Sequence, residues 1–98
     1  MKESMFQAQL IKRLYERFPG CVIFKNDPRY FQGFPDITIL YKNKWAILEV
    51  KESATASHQP NQDIWVDRLN AMSYSRFVYP ENVEEVLNEL EQSFEISG

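Results

Sequence analysis

The chain has very few of the residues that staple a fold covalently or through soft metals: one cysteine, Cys21, and one histidine, His58. A lone cysteine makes no internal disulfide. Cys21 sits in the apolar run "CVIF" and reads as a small core hydrophobe in a reducing compartment. With no His/Cys cluster, nothing argues for zinc. Long apolar stretches are missing as well, and none approaches the ~20 residues of a membrane span. No basic segment followed by an apolar one opens the chain, so secretion is not indicated and a cytoplasmic location is expected. Internal repeats and low-complexity tracts are also absent.

What is present fits one domain, residues 1–98. The net charge of −3 hides an asymmetry, a balance of +4 over residues 1–51 and of −7 over residues 52–98. A polyanion-binding protein need not be basic overall if its positive charge lies on one face. An acidic, solvated C-terminal helix explains the same asymmetry.

Periodicity predicts an α-β-β-β-α-β-α order. Residues 3–18 read as a helix with Phe6, Leu10, Ile11, Leu14 and Phe18 on one arc, ended by Pro19-Gly20. "CVIFKN" is a short strand and "DPRYFQGFP" a turn-rich, aromatic loop. "DITIL" and "WAILEVK" are strands joined by a hairpin at "YKNKW", centred on Asn43. After a polar loop, "NQDIWVDRLNAMSY" carries Trp65, Leu69 and Met72 at helical spacing. "SRFVYP" is a strand, and "ENVEEVLNELEQSF" a helix with Val83, Val86, Leu87 and Leu90 inward. Asn61 and Asn82 are the candidate helix caps. Such an order suggests an α/β fold, with one central sheet flanked by helices and a parallel crossover through the second helix.

Strand alternation puts Trp45, Ile47, Glu49 and Lys51 on one face and Ala46, Leu48 and Val50 on the other. Across the hairpin, Asp36 falls near Val50, close to Glu49 and Lys51. A salt bridge at a strand end explains such a trio. Two carboxylates beside one lysine nevertheless leave surplus negative charge, costly to bury unless a cation compensates it. Hard oxygen ligands suit Mg2+ or Mn2+. Glu3 points into the apolar arc of the first helix. It can complement the helix dipole or bring a third acid to the site.

"GFPDITIL" followed by "AILEVKES" resembles the P-D…(D/E)-x-K signature of the restriction-endonuclease-like nuclease superfamily. More narrowly, the chain resembles a stand-alone VRR-NUC domain, a type found in phages and bacteria. An early helical glutamate precedes those motifs, and "QDIW...RLNAMSYSRFVYPENVEEVL" is similar to the family's Q-x-x-W/F-x-x-x-L helix, late strand and final helix. The resemblance implies a restriction-endonuclease-like core with a central mixed β-sheet. It implies Asp36 and Glu49 as metal ligands with the Val50 carbonyl as a further oxygen, and Glu3 as the helical acid. Lys51 would position or deprotonate the attacking water, and Gln62 corresponds to the family's glutamine near the active site. The activity implied is Mg2+- or Mn2+-dependent hydrolysis of DNA phosphodiester bonds, with no small-molecule cofactor and no membrane role. Branched DNA such as four-way (Holliday) junctions is the substrate implied. So small a domain cannot span both strands, and a symmetric homodimer would place two active sites on two strands, in the bacterial host cytoplasm if the chain is phage-encoded.

Competing readings keep the fold without the chemistry: a non-catalytic nucleic-acid-binding or protein-interaction module, or a nuclease subunit requiring a specificity partner. Lys25, Arg29 and Tyr30 mix basic and aromatic groups that suit a phosphate backbone or an unpaired base, or pack as an ordinary loop. His58 is a phosphate contact, a catalytic base or a solvated loop residue. Lys12, Arg13 and Arg17 are solvated charges or a DNA rail. Gln62 has the alternative of satisfying backbone groups at a helix start, and Trp65 reads as core or dimer interface.

Overall fold

A computed structural model describes residues 1–95. Its elements are α1 (Glu3–Arg17), β1 (Val22–Lys25), β2 (Ile37–Tyr41), β3 (Lys44–Val50), α2 (Gln62–Met72), β4 (Tyr74–Val78) and α3 (Val83–Phe94), in the order the periodicity predicts. The strands form one mixed sheet, β1-β2-β3-β4, antiparallel at its first two pairings and parallel between β3 and β4. Parallel neighbours need a crossover, and α2 supplies it. No helix of the described residues is long and apolar enough to cross a membrane.

Period-two alternation on β3 explains the layers. Ala46, Leu48 and Val50 are fully buried in a core with Phe6, Leu10 and Leu14 of α1 and with Val86, Leu87, Leu90 and Phe94 of α3. The opposite face carries Ile47 and Glu49 towards α2, which packs on β3 and β4. Being buried on both sides, the strand reads as a near-continuous apolar run. The glutamate stands out in it for that reason. α2 leaves the outer strands uncovered, so Val22 (53% exposed), Phe24 (47%) and Leu40 (41%) meet solvent.

Four expectations shift. α2 buries Gln62, Val66 and Leu69, an i, i+4, i+7 stripe, whereas Met72 is exposed and Trp65 only half-buried. A stripe judged by apolar residues alone omits Gln62 and lands on the wrong arc. Neither Asn61 nor Asn82 caps its helix through its side chain. Asn61 instead takes a left-handed backbone (φ 74°), and buried Asn82 accepts from the Tyr79 N–H and donates to the Phe77 carbonyl. The hairpin turns at Lys42-Asn43, so Ile37 faces Leu48 and the pairing is one residue tighter than a turn centred on Asn43. Arg13 and Arg17, expected as solvated charges or a DNA rail, form solvent-exposed pairs: Arg13 with Glu84, and Arg17 with Glu91 and Asn88, tying α1 to α3.

Candidate active site

The loop before β2 delivers Asp36 against the far end of β3. Its Oδ2 accepts the Val50 N–H at 2.8 Å, a bond that hairpin pairing alone would leave to water. Asn26, one residue past β1, holds the other side. Its N–H reaches the Asp36 carbonyl at 2.7 Å, its side-chain amide donates to the Pro35 carbonyl, and its Oδ1 accepts the Thr38 hydroxyl. Asp36 is thus clamped between β1 and β3.

Glu49 is 4% exposed, and its carboxyl lies within electrostatic reach of that of Asp36. Lys51, 7% exposed, extends the parallel ladder by donating its N–H to the Val78 carbonyl at 2.9 Å. Its Nζ donates to Gln62 Oε1 at 2.8 Å and to the Ser57 carbonyl at 3.1 Å. Gln62 also donates from Nε2 to Glu49 Oε2 at 2.8 Å. The Gln59 N–H reaches the same Oε1, which fixes the orientation of the amide. Lys51 Nζ stays 3.8 Å from Glu49 Oε2, so the glutamine bridges two groups that a plain salt bridge would join directly.

This packing leaves an excess of negative charge, as the titration behaviour reflects. Burial pushes the Glu49 carboxyl up to about 8, reinforced by Asp36 and opposed by Lys51. Asp36 is raised by burial, against the pull of the Val50 N–H and of Lys51. Glu3 is raised by partial burial and then by Asp36, with Lys51 opposing and Glu52 adding to the rise. The helical acid therefore does lie within electrostatic reach of the pair, although it remains exposed.

The donor set fits a hard divalent cation. Glu49 Oε1 is buried with no hydrogen-bond partner, and an orphaned carboxylate oxygen beside a second carboxylate is a ligand in waiting. No group of three or more His, Cys, Asp or Glu side chains is close enough to hold an ion among the described residues. Mg2+ is commonly held by one or two carboxylates with substrate phosphates completing its shell, so Asp36 and Glu49 suffice. Glu3 stands nearby without joining a preformed cage.

The other sequence-derived candidates scatter. Val50 gives its N–H to Asp36, and its side chain is fully buried in the core. Lys25 ends β1 opposite Ile37, on the α1 side of the sheet. Arg29 is bound to the Asp27 carboxylate, and Tyr30 is 82% exposed. His58 stacks on Phe77 at 4.0 Å and bonds Asp63 through Nδ1, held between the two residues whose backbones grip Lys51 and Gln62. Sequence reasoning missed Asn26, the Ser57 carbonyl and Asp63. A backbone acceptor leaves no mark in residue identity, whereas an asparagine just before Asp-Pro at a strand end was a usable turn signal.

No family model and no curated protein matches the chain. Among solved structures, one described as a VRR_NUC domain protein superposes with a TM-score of 0.67 at 14% identity, covering 96% of this chain and 88% of that one. The α/β fold is therefore of the restriction-endonuclease-like type. The resemblance of the sequence motifs to VRR-NUC is matched by that of the fold.

Proposed function

We propose that the protein is a divalent-metal-dependent DNA endonuclease. The observation that carries this reading is the pair of Asp36 and Glu49, with one buried oxygen unpartnered, beside a Lys51 held away from direct pairing. Asp36 and Glu49 are the metal ligands, with the Val50 carbonyl and Glu3 as further oxygens. A bound Mg2+ or Mn2+ would acidify water, polarise the phosphoryl group and neutralise charge developing in phosphodiester hydrolysis. Burial raises the Glu49 carboxyl, so holding a cation there would require it to give up a proton. Lys51 Nζ lies beside Glu49, where it would orient the attacking water and offset transition-state charge. Gln62 positions both Glu49 and Lys51 through one amide.

Lys25, Arg29, Tyr30 and His58 are the proposed contacts to DNA, although they do not converge on this centre. Branched DNA, four-way junctions included, is the favoured substrate, and a symmetric homodimer would present two sites to two strands. The resemblance to stand-alone VRR-NUC domains supports that choice.

Cleavage of linear, flap and four-way-junction DNA with Mg2+, Mn2+ or EDTA tests the reading. We expect metal-dependent cutting that Glu49→Ala lowers by at least ~100-fold, with DNA affinity largely kept. Cutting in EDTA, or full activity in the variant, would overturn the mechanism. Absence of any cleavage by the wild type would favour a binding module or a subunit lacking its partner.

A further inference from the structure

The loop between β1 and β2 carries aromatic side chains that the proposed chemistry does not use. Phe31, Phe34 and Trp65 form a triad with centroid separations of 5.9, 5.5 and 5.0 Å. Yet Phe31 remains 57% exposed and the adjacent Tyr30 82%. A large ring left half in water forgoes part of its burial, a loss that invites another function. The Arg68 guanidinium lies over Trp65 at 5.1 Å and has no ion-pair partner among the described residues.

The triad is rigidly placed. Trp65 donates its indole N–H to the Gln32 carbonyl, and Gly33 packs so closely on Pro60 and Asn61 that a Cβ there would meet the Pro60 oxygen at 2.8 Å. Phe34 lies two residues before Asp36, and Trp65 one helical turn after Gln62. Both ends of the aromatic surface are therefore tied to the candidate active site. A flat π-face with an unpaired guanidinium matches one ligand chemistry in particular, a planar base on an anionic backbone.

We propose that Phe31, backed by Phe34, Trp65 and Arg68, is a stacking platform for an unpaired nucleobase next to the scissile bond. The proposal rests on the DNA-binding reading and supplies a structural basis for preferring branched over fully paired DNA. Duplex bases are already stacked and offer no free face, whereas a branch point, flap or gap does.

Fluorescence anisotropy in EDTA separates this from the cleavage question. The probes are a fluorescein-labelled duplex with a three-nucleotide gap and the same duplex fully paired. We expect tighter binding of the gapped probe by wild type. Phe31→Ala should weaken that probe about tenfold and the paired duplex less than twofold. Phe31→Tyr, which keeps the ring, should restore the preference. Equal loss on both probes, no loss, or no preference in the wild type would overturn the platform. So would a change in oligomeric mass with unchanged DNA affinity, which would assign the face to a protein partner. Because no metal is needed, loss of the nuclease reading alone would leave these outcomes decisive.

Discussion

Glu49 shows how one side chain can carry opposing demands. A carboxylate inside a strand buried on both faces is costly, and the chain meets the cost with one amide from Gln62 and with a proton. Its folded-state pKa of about 8 stands above the ordinary 4.5, so between those values the folded protein holds a proton that the unfolded chain has released. The resulting stabilisation is complete below the lower value and is lost as pH rises through the upper one. Asp36 and Glu3, also raised, add in the same direction. In EDTA, urea unfolding should therefore show stability falling from pH 5 to 9, by on the order of a few kcal/mol from Glu49. Glu49→Gln keeps an oxygen for Gln62 and should be flatter with pH and more stable than wild type at pH 9. A variant with the same pH slope as wild type would show that Glu49 does not carry the effect.

Among the elements, the most consequential is a loop. Residues 26–36 join the edge strand to Asp36, and their shape depends on Gly33 meeting the start of α2 with a left-handed backbone (φ 81°). Gly20 has a similar backbone (φ 89°) but open space around it. The two positions separate conformation from crowding. Gly20→Ala should cost about 1 kcal/mol, a conformational cost only. Gly33→Ala should cost about 3 kcal/mol, because the backbone of residues 60–61 cannot move aside without shifting Gln62. Thermal melts of the two variants, with cleavage assays, test this. Comparable losses at the two sites would mean the loop yields easily and does not register Asp36 to α2.

At the scale of the whole molecule, the charge asymmetry resolves into a seam. Arg13 and Arg17 from the basic half meet Glu84 and Glu91 from the acidic half, and Arg76 of β4 pairs with Glu85 and Glu89. Arg13 and Arg17 of α1 are thus engaged in surface ion pairs with α3, whereas Lys12 stays exposed. The sheet also leaves Val22, Phe24 and Leu40 in solvent on its outer strands. If the proposed homodimer forms, this strip is the apolar surface a second copy would cover. Light scattering at micromolar concentration should give the mass of two chains. Phe24→Asp, at a position already half exposed, should give one chain while the fold persists by circular dichroism. A monomeric wild type would remove the dimer from the reading.

Much of this was legible in the linear chain. Period-two and period-3.6 patterns determine where strands and helices lie, because burial demands one apolar face from each. The same alternation puts Asp36, Glu49 and Lys51 at one end of adjacent strands. Only the tertiary structure decided how they are used. It set Gln62 between Glu49 and Lys51, gave Lys51 the Ser57 carbonyl and clamped Asp36 with Asn26. It also turned the first helix's basic face towards α3. These are contacts between segments distant in the chain, often through backbone atoms common to every residue. Local periodicity records which face is buried and says nothing of what lies against it.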